Sequence, residues 1–228
     1  MGSGLLARIP DEDIAARRKV RAGGFPAPQR LVSLALLIVD MVAAVVRDEY
    51  PNRLGAAGQS CATAIAGIRG AAKVHDIPVI YTVTPTTNAP VLIGQRGRGE
   101  SWRAVPPFSL EPEAHEIVPE PAPNCDDIVL AKAKPSAFYG TQLSGILNAL
   151  GTRSLIVTGM TTSGCIRGSL LDAFNLNYAP VVPIEGVADR ASLSHEVNLF
   201  DIGGKYGDVV TTASLVEAMN ELRNGPAS

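Results

Sequence analysis

The chain is poor in the residues that build metal centres and disulfide-stapled scaffolds. It has three histidines and three cysteines in 228 residues. His75, His115 and His195 fall in no HxxxH or DxH pattern, and Cys61, Cys125 and Cys165 form no CxxC pair. These spacings argue against zinc and iron ligand sets, so no metal and no cofactor is expected. An odd number of scattered thiols suits a reducing, cytoplasmic setting. Aromatic residues make up 5% of the chain and charged residues 18%, with 20 basic against 22 acidic. That balance offers neither a broad nucleic-acid surface nor a polybasic membrane anchor. The longest apolar run, LALLIVDMVAAVV, is broken by Asp40 and is too short to span a bilayer. The charged N-terminal stretch MGSGLLARIPDEDIAARRKVR lacks the apolar segment of a secretory signal. No GxGxxG, Walker or GxSxG motif occurs, which argues against nucleotide binding and a serine-hydrolase elbow.

What is present is a chain that is 46% hydrophobic, with 22 Gly and 17 Pro, long enough to bury one sizeable core. Short apolar runs at Leu34–Val39, Pro78–Val83, Asp127–Ala131, Ser154–Thr158, Pro180–Pro183 and Asp208–Thr211 read as buried parallel strands. Helical patterns lie between and after them at Gln59–His75, Gln142–Leu150, Ile166–Asn175, Leu193–Leu199 and Leu215–Arg223. The alternation predicts βαβ units, hence an α/β fold with a mostly parallel sheet. Residues 84–124, rich in Pro, Gly, Thr and Asn, read as a surface insertion. Residues 1–30 read as an arm lying on the domain or on a neighbouring subunit, and 31–228 as a single domain.

Ligands of open α/β sheets bind beyond the carboxyl ends of the strands. Three reactive side chains fall there: Asp40 after the first run, Lys132 after the third, and Cys165 in the turn after the fourth. Cys165 immediately precedes a helix predicted from Ile166, where free N–H groups and the dipole favour a thiolate and could hold an oxyanion. Asp40 is a candidate general base. Each residue alone has an ordinary structural explanation: a buried thiol, a turn aspartate, a solvated lysine. Together they supply a nucleophile, a base and a balancing cation. Cys61 and Cys125 have no comparable setting.

At these residues the sequence resembles the isochorismatase-like cysteine hydrolases, the superfamily that includes nicotinamidases. The likeness runs from about Ala35 to Ala218, through LLIVDM around Asp40, IPVIYT at 77–82, KAKPSAFYGTQL at 132–143, IVTGMTTSGCIRGSLLDAFNLNY at 156–178 and VPIEGVADR at 182–190. SGCIR at 163–167 and the tail VADR…H…NLFDI…KYGDVV are similar to the N-carbamoylsarcosine and maleamate amidohydrolase branch. The resemblance implies a six-stranded, three-layer α/β/α fold and a triad of Asp40, Lys132 and Cys165. It selects Lys132 over Lys134 by its distance from Ser136. It further implies a cis peptide between Met160 and Thr161, an oxyanion hole from the amides of Gly164 and Cys165, and substrate contacts from Thr161 and Arg190. Arg167 is expected to be structural.

The cysteine disfavours vinyl-ether hydrolysis, and YTVTPTTNAP lacks the metal ligands that nicotinamidases carry there. Val42 stands where the family often has Gln, and NLNY at 175–178 replaces a common Gly-containing turn. The expectation is a metal-independent amidohydrolase that cleaves a small, linear, carboxylated amide with water. A dimer or tetramer is expected from the relatives. The alternatives are a ureido, biuret-like or cyclic amide hydrolase, or an idle family member acting as a binding protein.

Overall fold

The computed structural model describes residues 9–22, 31–50, 53–85 and 112–223. Among them, seven strands form one parallel sheet: β1 (Leu34–Val39), β2 (Val79–Val83), β3 (Ile128–Ala131), β4 (Ser154–Met160), β5 (Ala179–Pro183), β6 (Val187–Ala188) and β7 (Asp208–Val210). Their order is β3-β2-β1-β4-β5-β7, with β6 paired to the end of β4. The helices are α1 (Asp11–Ala22), α2 (Ala43–Val46), α3 (Ala56–Val74), α4 (Leu143–Ala149), α5 (Arg167–Asn175), α6 (Ser192–Lys205) and α7 (Thr212–Arg223). The expected mostly parallel α/β architecture is therefore present. The extra strand is a two-residue one too short to leave a hydrophobic run.

Every residue of β1 is buried, because the strand is central and covered on both faces. Its side chains alternate between two cores. Leu34, Leu36 and Ile38 pack with Ile65 and Ile68 of α3 and Met219 of α7, whereas Ala35, Leu37 and Val39 pack with Leu147, Leu170 and Ile202 of α4, α5 and α6. Burying one such leucine or isoleucine contributes about 1.5–3 kcal/mol.

The register brings the carboxyl ends of the central strands level, with Val39 opposite Thr82 and Gly159, and Val83 opposite Ala131. Gly159 is indispensable to this arrangement. Its φ is +109°, and a Cβ there would lie 2.0 Å from the Val39 carbonyl oxygen.

One expectation changes. The described end of the 84–124 stretch is partly buried rather than lying wholly on the surface. Ala114, His115 and Val118 are buried, and Val42 bridges Ile117 in antiparallel fashion. Backbone bonds from Val118 N–H to Met41 and from Ala43 N–H to Glu116 draw this segment against the residues after Asp40. Residues 86–111 lie outside the described residues. Within the N-terminal stretch read as an arm, α1 forms and Arg17 docks on α6. Its Nη1 donates to the Phe200 carbonyl at 2.8 Å, and its guanidinium lies 4.0 Å over the Phe200 ring.

Candidate active site

Asp40, Lys132 and Cys165 come from three segments that leave the carboxyl edge of the sheet, and the structure brings them together. Asp40 follows β1 and continues the ladder, its N–H donating to the Thr82 carbonyl at 3.1 Å. Its φ of +53° is unusual for a residue with a side chain and is tolerated best by Asp and Asn among such residues. Lys132 follows β3, held by its own N–H on the Val83 carbonyl at 2.9 Å. Lys132 Nζ lies 2.5 Å from Asp40 Oδ2 and donates to Cys165 Sγ at 3.3 Å. The third ammonium partner is the carbonyl of Lys134, also at 3.3 Å, so Lys134 contributes backbone to the cluster.

Cys165 sits differently from the expectation. Residues Thr162–Ile166 form a π-helical turn that runs directly into α5, so the sulfur lies within the turn rather than in front of a helix. The surroundings oppose the thiolate that a helix start would favour. Burial pushes the thiol up most, the Asp40 charge adds to that, and Lys132 offsets only part, leaving Cys165 at about 12. Burial works against the Lys132 ammonium, but Asp40 and Cys165 outweigh it and hold its pKa above the ordinary lysine value. The resting cluster is therefore carboxylate, ammonium and neutral thiol. Cys61, enclosed in α3, is also pushed to about 12 by burial, with no lysine beside it among the described contacts.

The peptide between Met160 and Thr161 is cis. The Gly164 N–H is donated to the Thr161 carbonyl at 3.0 Å, so it is engaged inside the turn and does not stand open as an oxyanion donor. Thr161 N–H meets no acceptor among the described residues. Space at 164 is tight, because a Cβ would come within 2.8 Å of Thr161 Oγ1. Arg190 follows β6 and is exposed. Its neighbour Asp189 reaches the cysteine turn, accepting the Ser163 N–H at 2.7 Å and the Arg190 N–H at 2.8 Å. Arg167 donates to Asn198 of α6 at 2.9 Å.

Several hydroxyls that the sequence did not single out hold this site. Thr82, buried in β2, donates to Asp40 Oδ1 at 2.9 Å and leaves Oδ2 for the lysine. Ser169 donates to the Cys165 carbonyl at 2.7 Å and accepts the Ala137 N–H at 2.9 Å, tying the cysteine turn to the segment after Lys132. Thr162 Oγ1 lies 2.8 Å from His195 Nδ1. A lone hydroxyl leaves no spacing pattern, which is why only the fold reveals these contacts. Among the described residues, no group of three or more His, Cys, Asp or Glu gathers as a metal centre would require. No described helix is long and apolar enough to cross a membrane. A cleft of about 560 Å³ between Ser33, Val74, His75 and Leu222 opens at the amino end of the strands and holds none of the three clustered groups.

A cysteine hydrolase from Pseudomonas syringae pv. phaseolicola has the same fold, with a TM-score of 0.79 at 20% identity over 86% of this chain and 98% of that one. The family model for the Isochorismatase domain matches residues 34–214, and the chain belongs to that family. It is 46% identical to maleamate amidohydrolase of Pseudomonas putida over 103 residues, which is 45% of this chain and 47% of that protein. It is 33% identical to N-carbamoylsarcosine amidase of Arthrobacter sp. over 157 residues, which is 68% of this chain and 60% of that protein. The chain thus spans about half to three-fifths of the length of these two relatives.

Proposed function

We propose that the chain is a metal-independent cysteine amidohydrolase acting on a small, linear, carboxylated amide. The observation that carries this reading is the single ammonium of Lys132 touching both Asp40 and Cys165. A neutral thiol beside a carboxylate needs a general base to attack, and Asp40 is placed to serve. In the proposed cycle Asp40 takes the Sγ proton and the sulfur bonds to the amide carbonyl carbon. The carbonyl oxygen becomes an oxyanion, held by the N–H groups of Cys165 and Thr161 in place of the engaged Gly164 amide. Asp40 returns the proton to the amide nitrogen, the C–N bond breaks, and ammonia leaves a thioester. Asp40 then takes a proton from water, the hydroxide adds to the thioester carbon, and the C–S bond breaks to give a carboxylic acid and the restored thiol. Lys132 keeps its proton throughout and balances the charge.

The names of the two relatives point to maleamate and N-carbamoylsarcosine, both small amides with a carboxylate. Arg190, on the segment that grips the cysteine turn, is our candidate for that carboxylate. The reading extends to a cytoplasmic homo-oligomer, in keeping with free thiols at Cys61, Cys125 and Cys165. The test is ammonia release from maleamate, N-carbamoylsarcosine, ureidoacrylate, biuret and nicotinamide, with and without chelator, for wild type and Cys165→Ala. Chelator-resistant release that disappears in Cys165→Ala is expected. Turnover retained by Cys165→Ala sinks the covalent mechanism, and wild-type silence across the panel sinks the substrate class.

A further inference from the structure

The turn carrying Cys165 is anchored at both ends, and the two anchors differ in origin. Downstream, Ser169 on α5 holds the Cys165 carbonyl, an i to i+4 contact within one continuous helical segment. Upstream, the contacts come from the β6–α6 segment. Asp189 takes the Ser163 N–H at 2.7 Å, and His195 Nδ1 meets the hydroxyl of Thr162 at 2.8 Å. Neither Asp189 nor His195 has a part in the chemistry above. Thr162 is fully buried, so its hydroxyl needs a partner inside the protein, and the first turns of α6 deliver one. The cluster thus fixes two consecutive residues, 162 and 163, between the Thr161 and Cys165 amides.

We propose that His195 and Thr162 are a positioning pair that sets the start of the cysteine turn, and thereby the aim of the oxyanion donors at Thr161 and Cys165. The inference rests on the amidohydrolase reading. His195 touches no reacting atom and acts through Thr162. With the imidazole proton on Nε2, the Thr162 hydroxyl donates to Nδ1. Burial holds His195 below the usual histidine range, against the opposing pull of Asp189 and Glu196, so a neutral imidazole is the resting form near pH 7. A turn released at this point shifts the donors away from the developing oxyanion while leaving the substrate's other contacts in place. Misplacement of about 1 Å at a reacting centre costs on the order of 100-fold in rate.

Four variants test the pair: Thr162→Val, which removes the hydroxyl at nearly constant shape, Thr162→Ser, which keeps it, His195→Ala, and His195→Asn, which restores a polar group near Nδ1. The assay is ammonia release from whichever amide of the panel the wild type hydrolyses fastest, with Cys165→Ala alongside and Tm measured for each protein. We expect Thr162→Val and His195→Ala to lower kcat by about 10- to 100-fold with KM within about twofold, as for an interaction realised in the transition state. Thr162→Ser and His195→Asn should recover most of the loss, and the Val/Ala double variant should be no worse than the poorer single one. An unchanged kcat in Thr162→Val, additive losses in the double variant, or losses that track Tm overturns the positioning pair while leaving the amidohydrolase reading intact. Turnover in Cys165→Ala, or wild-type silence across the panel, instead overturns that reading and the pair's role with it.

Discussion

Replacing Asp40 by Asn should make Cys165 more reactive toward alkylation while abolishing amide turnover. Asp40 Oδ2 and Cys165 Sγ both touch Lys132 Nζ, at 2.5 and 3.3 Å, so they lie no more than about 6 Å apart. Two unit charges at that separation interact by about 3 kcal/mol at an effective dielectric constant of about 20, which corresponds to about two pH units in a titration. The Asp40 charge raises the thiol and Lys132 lowers it. Removing the carboxylate leaves the ammonium with the sulfur as its one anionic partner, and asparagine keeps an acceptor for Thr82 at Oδ1. With the thiol at about 12, the thiolate fraction at pH 9 is about one in a thousand, and the substitution raises it by about 100-fold. The assay is the second-order rate of iodoacetamide modification at pH 9, with the Cys165 peptide quantified separately from Cys61 and Cys125. Turnover in the same variant should fall by at least about 100-fold through loss of the base. Adding Lys132→Met should erase the gain in alkylation, because the stabilising cation is then gone. An alkylation rate in Asp40→Asn equal to or below wild type would refute the electrostatic reasoning, whatever happened to turnover.

The remaining predictions concern groups that hold the site. Thr82→Val removes the hydrogen bond to Asp40 Oδ1 at nearly constant shape; kcat should drop about tenfold, at a stability cost of about 1 kcal/mol seen in urea titration. His195 sits below its ordinary pKa through burial, with Asp189 and Glu196 opposing. Its folded form therefore binds fewer protons than its unfolded form in the window just below the ordinary histidine value. Stability contributed by this group is fully present above about pH 6.5 and is lost as pH falls through the lower folded value. The decline in Tm between pH 7.5 and 5.5 should be shallower in His195→Asn than in wild type, and equal slopes would count against the assignment.

The centre of the sheet was legible because β1 and β4 are buried on both faces. LALLIV and SLIVT carry no polar interruption, and a continuous apolar run is what such burial demands. Helix α1 was not legible for the opposite reason. DEDIAARRKVRA has no strong apolar stripe, and the Arg17 guanidinium docks it on Phe200 and Asp201, a contact that no periodicity encodes. The 112–118 segment escaped for a third reason: Val42 and Ile117 pair across 75 positions of chain, and turn-rich composition says nothing about such a return.

The positions of Asp40, Lys132 and Cys165 could be read from strand ends, yet their electrostatics could not. A thiol near a helix start is expected to lose its proton, because unpaired amides and the dipole favour the anion. Here the Gly164 amide is used within the turn, the Ser163 amide belongs to Asp189, and a carboxylate shares the cysteine's lysine. Local support for the anion is therefore largely committed elsewhere, while burial and Asp40 act against it. The same arrangement gives the site its chemical logic. In the proposed cycle each state exchanges one anion for another beside a fixed cation: Asp40 at rest, the thiolate on attack, and Asp40 again once its proton has passed to the leaving nitrogen. A buried cluster that keeps one net anion against Lys132 avoids placing two uncompensated charges in a low-dielectric setting. On that reading a proton shuttle between carboxylate and sulfur makes the nucleophile without separating further charge, and it requires no histidine.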